Sequence, residues 1–126
     1  MIRFALRLGR ASDVPFVVDS WAKRGHHRGE RLRDATARIR AILAAPSTEL
    51  RVAALSDDED AILGWAVVDV GAPDVSGVPA PRLHYVYVRK ELRGQGIARA
   101  LLTDIENPEI HGMAQGQAAQ AGADRA

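Results

Sequence analysis

LHYVYVRKELRGQGIARALL, residues 83–102, is the stretch on which the reading of this chain turns. Its first six residues are a β-rich, alternating run that ends at Val88. A basic hinge (residues 89–93), two glycines (Gly94, Gly96) and an apolar series at helical spacing (Ile97, Ala98, Leu101, Leu102, Ile105) follow. Strand, glycine turn, helix is an arrangement suited to phosphate. Glycine lets backbone come close to a ligand, and the first N–H groups of a helix, lacking intrahelical partners, point at it. The plain alternative is a glycine-marked strand-to-helix connection that holds nothing.

The spacing says more than the glycines. Arg93-Gly94-Gln95-Gly96-Ile97-Ala98 fits Arg/Gln-x-x-Gly-x-Gly/Ala, placed five residues after the strand-ending Val88. With a strand before it and a helix after it, this resembles the acyl-CoA signature of the GNAT superfamily of N-acetyltransferases. The segment ILGWAVVD (residues 62–69) likewise resembles that superfamily's strand with a glycine between hydrophobic residues. The resemblance implies an α/β fold of the α+β type: a mixed, largely antiparallel sheet flanked by helices, short at the C-terminus. It implies acetyl-CoA as acyl donor and a small-molecule or protein amine as acceptor. The backbone of Val86, Tyr87 and Val88 would hold the pantetheine and the acetyl carbonyl as a strand-like addition. The N–H groups of Arg93, Gly94, Gln95, Gly96, Ile97 and Ala98 would cradle the pyrophosphate, with the Arg93 and Arg99 charges nearby.

Composition agrees with one soluble domain. The chain has 126 residues, 47% hydrophobic and 26% charged, and no cysteine. A disulfide framework, a thiolate nucleophile and a cysteine zinc site are thereby excluded. Direct attack of an amine on a thioester needs no cysteine. No apolar run approaches the ~20 residues of a membrane span, and MIRFALRLGR carries charges among its apolar residues, unlike a signal peptide. A cytoplasmic protein with no membrane partner is expected. Residues 1–53 carry eleven Lys/Arg against five acids, and residues 54–81 carry six acids and no base. Arg24, Arg28, Arg31, Arg33, Arg38 and Arg40 read as a solvated helix face in an arginine-rich chain, or as an attraction for an acidic or phosphorylated acceptor.

In chain order, residues 2–8 alternate as a half-buried strand through Ile2, Phe4, Leu6 and Leu8. Ser12 offers an N-cap, with Asp13 in the first turn and Pro15 near the start of a helix over residues 12–24. His26 and His27 share a polar loop with no third ligand at a recognisable spacing, so no metal is expected. A second helix spans 30–45 and strands span 49–55 and 61–70, joined by a charged loop at residues 56–60. Gly64 inside the third strand predicts a bulge or a close backbone approach. A helix over 94–106 follows the fourth strand, 83–88. The acyl-CoA-binding domain is thus residues 1–106. Of residues 107–126, only 109–113 reads as a short strand, and the Ala-, Gln- and Gly-rich 114–126 buries almost nothing.

Two side chains are candidates for chemistry. His84 lies four residues before Val88, which strict alternation would put on the face of Val86 and Val88. The resemblance to the arylalkylamine-acetylating branch implies a histidine there on the proton-removal path, and imidazole titrates in the right range. A strand histidine bonded to a neighbour is the plain alternative. Asp69, near the end of its strand, is a possible general base or a solvated carboxylate. Tyr85 and Tyr87 should point to the opposite face as core. The general-acid tyrosine expected after a fifth strand has no counterpart here.

Three readings follow: an N-acetyltransferase, a non-catalytic CoA- or partner-binding module on a truncated GNAT scaffold, and a phage-type nucleobase-modifying protein. Aromatic content of 5% offers little base-stacking surface, so a nucleic-acid partner is not expected. An uncovered fourth strand would invite pairing with a second copy, so a homo-oligomer is expected.

Overall fold

The computed structural model describes residues 2–71, 75–78, 80–103 and 105. Four strands, β1 (Phe4–Leu8), β2 (Thr48–Leu55), β3 (Asp58–Asp69) and β4 (Arg82–Val88), form one sheet in the order β1-β2-β3-β4. All three pairings are antiparallel. Helices α1 (Val14–Gly25) and α2 (Leu32–Ala44) pack on one face and the short α3 (Ile97–Leu101) on the other. This is the α+β arrangement that the resemblance implies. Among the described residues no helix is long and apolar enough to cross a membrane.

The sheet is apolar on both faces because β3 and β4 are sandwiched. Val17, Trp21, Ile39, Trp65, Val67, Tyr85 and Tyr87 fill the α1/α2 side, while Leu63, Val68, Leu83, Val86, Val88, Ile97 and Leu101 fill the α3 side. Trp21, Trp65 and Tyr85 stack within 5.6–5.8 Å of one another. Aromatic pairs at such spacing contribute ~0.5–1.5 kcal/mol beyond area burial. Trp65 Nε1 donates to Ser20 Oγ at 3.0 Å, so this indole is satisfied by α1.

Several boundaries differ from those the sequence suggests, each for a local reason. Ser12 does not cap a helix. It sits in a 3-10 turn (Ala11–Asp13), and the Asp13 carboxylate instead accepts from Arg10 N at 2.7 Å and from Arg7 at 2.7 and 2.9 Å. The charged loop at 56–60 shrinks to two residues, because Asp58, Glu59 and Asp60 join β3. Arg10 pairs with Glu59 and Asp60, which offsets two of these acids, and Arg7 donates to Glu59 O. Leu6 and Leu8 are 50% and 63% exposed rather than half-buried: they join neither core cluster and line an open surface cleft with Glu49, Arg51 and Leu101. Helix α3 begins at Ile97, three residues after Gly94, and has five residues rather than the span 94–106. The suggested strand at 109–113 and the tail at 114–126 lie outside the described residues.

Candidate functional site

Strand β4 pairs with β3 on one side and is an edge among the described residues. Arg89 N donates to Leu63 O at 3.0 Å, which fixes the parity of the ladder. In an antiparallel pair, alternate residues bond inward. Tyr85 and Tyr87 therefore turn their backbone groups toward β3, and Val86 and Val88 turn theirs to the open edge. Arg93 Nε reaches Val88 O at 3.4 Å, consistent with that direction. The Val86 and Val88 side chains pack into the α3 cluster, whereas Tyr87 and Tyr85 are core on the opposite face.

Gly64 explains how β3 and β4 fit here. A Cβ at this position would stand 2.7 Å from Tyr87 O, so only glycine admits the close approach. The β2–β3 register also slips at this point: Ala53 faces Gly64 and Ala54 faces Ile62, leaving Leu63 as an added residue. Both features anticipated for Gly64 are therefore present.

Beyond β4 the chain makes a 3-10 turn (Lys90–Leu92) and then reaches Gly94 and Gly96 at φ +84° and +82°. Side chains rarely adopt this left-handed conformation. A Cβ on either glycine would meet nothing within 4 Å among the described residues, so the loop backbone stands open to space. Gln95 anchors it, its Oε1 accepting from Ile2 N at 3.2 Å. Arg93 is half-buried beside the loop, Arg99 is exposed, and Ile97 and Ala98 are buried where α3 seats on the sheet.

The two candidate catalytic residues lie at the other end of the β3–β4 ladder. His84 is half-exposed. The β3–β4 register is irregular at this point: Val68 faces Leu83 and Val67 faces Tyr85, so His84 is the residue the irregularity adds. Leu83, not His84, joins the cluster of Val86 and Val88. Strict alternation from residue 84 to 88 assumes an unbroken pleat, so with this irregularity it does not by itself assign the face of His84. Asp69 pairs across from Arg82, and its Oδ1 accepts from Gly71 N at 2.9 Å, closing the turn that leaves β3. The ladder thus puts Asp69 near His84 but far from Val88.

On the α1 side, Arg24 Cζ stands 5.1 Å from the Tyr87 ring centroid, and Arg89 Cζ stands 5.4 Å from that of Phe16. Arg89 also donates from Nε to Ile62 O at 2.7 Å. Sequence reading places Arg89 in a basic hinge and gives it no other role. No spacing rule joins residues 16, 24, 87 and 89, which meet only through the packing of α1 on β4. In the α1–α2 loop, His26 Nδ1 contacts Ala22 O at 3.1 Å, and the His27 backbone N donates to Glu30 at 2.8 Å.

A model of the Acetyltransferase (GNAT) family matches residues 16–113. No curated protein sequence matches the chain. Among solved structures, the fold is similar to a putative acetyl transferase from Pyrococcus furiosus, with TM-score 0.68, 16% identity, and coverage of 98% of this chain and 91% of that one. It is also similar to ribosomal-protein-alanine N-acetyltransferase from Brucella melitensis biovar Abortus 2308 (TM-score 0.55, 21% identity, 79% of this chain, 66% of that one). A third similar structure is AAC(6')-Iy in complex with the bisubstrate analogue CoA-S-monomethyl-acetylneamine (TM-score 0.56, 16% identity, 94% of this chain, 85% of that one). At these identities the likeness is one of fold.

Proposed function

The chain belongs to the acetyltransferase (GNAT) family, and from that membership we propose that it transfers an acetyl group from acetyl-CoA to a small-molecule or protein amine of the cytoplasm. One observation carries the reading: an outward-facing ladder edge at Val86 and Val88 leads into two left-handed glycines, Gly94 and Gly96, whose backbone stands in open space. An extended pantetheine arm fits such an edge as an added strand. A pyrophosphate fits the N–H groups from Gly94 to Ala98, that of Arg93 being given to Lys90 O at 3.4 Å, with the Arg93 and Arg99 charges at hand. The AAC(6')-Iy complex, with its CoA-containing ligand, supports an acyl-CoA on this fold.

In this reading the residues orient two substrates and handle one proton. The amine nitrogen bonds to the carbonyl carbon, the C–S bond breaks, and CoA leaves as its thiolate. Backbone N–H groups at the β4 edge would stabilise charge developing on the carbonyl oxygen. His84, half-exposed a few residues along β4, would take the ammonium proton directly or through water, with Asp69 as the second candidate.

Calorimetric titration with acetyl-CoA followed by CoA release against a panel of amines tests the proposal. Saturable binding and release with at least one amine is expected. Binding without release from any amine would point to a non-catalytic module, and absence of binding would overturn both.

A further inference from the structure

Five cations of the described chain sit against carboxylates: Arg7 on Asp13, Arg10 on Glu59 and Asp60, Lys23 on Asp19, Arg38 on Glu30 and Arg51 on Glu49. Three guanidiniums around the end of β4 differ. Arg24 lies over Tyr87 and Arg89 over Phe16, and these two rings meet edge-on with centroids 6.2 Å apart. Among the described residues the Arg93 side chain reaches only the Val88 carbonyl. Among the described residues no carboxylate comes within 4.0 Å of any of the three, and Glu91, on the turn between Arg89 and Arg93, pairs with neither.

The groups beneath are also donors. Trp21 Nε1 and the Tyr85 hydroxyl are buried without a hydrogen-bond partner, their rings stacked at 5.6 Å. Burial pushes the Tyr85 phenol up to about 12 against the opposing pull of Arg24 and Arg93. It stays neutral near pH 7 and supplies no counter-charge. A guanidinium stacked on a ring keeps its N–H edge free to grip a carboxylate or phosphate. Tyr87 lies between Val86 and Val88, about 3.3 Å from each along the strand. An anion held over its ring would therefore sit beside the edge proposed for the acyl group.

We propose that the patch formed by Arg24 and Arg89 on the Tyr87–Phe16 platform binds an anionic group, carboxylate or phosphate, carried by the acceptor amine. The inference rests on the acetyl-transfer reading and names the acceptor's class: an amine with a negative charge a few bonds from the nucleophilic nitrogen. Arg93 is left to the acyl donor.

Matched probes test it: β-alanine against β-alaninamide, and phosphoethanolamine against ethanolamine, each titrated into protein saturated with CoA. At least one anionic member should bind more than about tenfold tighter than its neutral partner, ~1.4 kcal/mol, and acetylation should follow the same order. The pair that shows the difference identifies the anion. Arg24→Gln should abolish the preference and Arg24→Lys should keep part of it. Acetyl-CoA affinity of both variants, measured separately, should stay within about twofold of wild type, a change of under ~0.5 kcal/mol. Equal binding within both pairs, no binding by either anionic member, or a preference that survives Arg24→Gln would overturn the anion site. Loss of acetyl-CoA binding by the wild type would instead overturn the transfer reading, and the separate titration tells the two failures apart.

Discussion

Glycines 64 and 96 show how one residue type serves opposite ends. Gly64 is required by what lies close to it, and Gly96 by its own φ of +82° with nothing near. Gly64→Ala drives a methyl group into Tyr87 O, and overpacking of this kind costs about 1–3 kcal/mol. A fall in Tm of roughly 5 °C or more is expected in calorimetry, whereas an unchanged Tm would mean that β4 yields without cost. Gly96→Asp meets no steric obstacle, but it strains φ and puts a carboxylate where the pyrophosphate is proposed. Acetyl-CoA affinity should drop more than about tenfold while the protein stays folded, and unchanged affinity would make the glycine a purely structural turn. His84→Ala should lower kcat/KM by about a hundredfold or more if it removes the proton, with acetyl-CoA binding retained. Loss of the acidic limb from the pH–rate profile would separate that role from mere support of the irregular ladder.

At the scale of elements, two carboxylate–arginine clasps hold the helices to their neighbours. Asp13 ties the turn before α1 to β1 through Arg7, and Glu30 ties the α1–α2 loop to α2 through Arg38. The hydrogen bond from Arg7 holds the Asp13 carboxyl below its ordinary 3.8, and Arg38 holds Glu30 at about 2 against an ordinary 4.5. Both folded-state values are depressed, so both contributions are complete above the unfolded values and fade as pH falls through the folded ones. Urea unfolding should therefore show stability falling between about pH 4.5 and 2. Glu30→Gln and Asp13→Asn should each start less stable at pH 7 and fall less over that window. An acid slope identical to wild type in both variants would remove the clasps from the account.

For the whole molecule, β4 offers backbone groups along its outer edge among the described residues. We propose that two copies associate near this edge, as unpaired strands favour. Light scattering should then find a homodimer at tens of micromolar. Because acetyl-CoA is proposed to lie along the same edge, saturating ligand should reduce the dimer fraction. A strict monomer at high micromolar concentration would refute the association. A dimer indifferent to acetyl-CoA would move the contact elsewhere, for instance to β1, where Leu6 and Leu8 are exposed.

What the sequence determined by itself is what depends on local pattern. Alternation marked β1 to β4, helical spacing marked α1 and α2, and the glycine spacing after Val88 marked the loop now seen at φ +84° and +82°. Those signals are local because backbone conformation responds first to a residue's immediate neighbours. Tertiary structure decided the rest. The face of His84 depends on an irregularity forced by pairing with β3, and the length of β3 depends on arginines fifty residues away that neutralise its acids. The gathering of Phe16, Arg24, Tyr87 and Arg89 depends on how α1 packs against β4. Contacts between residues far apart in the chain leave no periodicity to read, so only the folded chain could bring these four together.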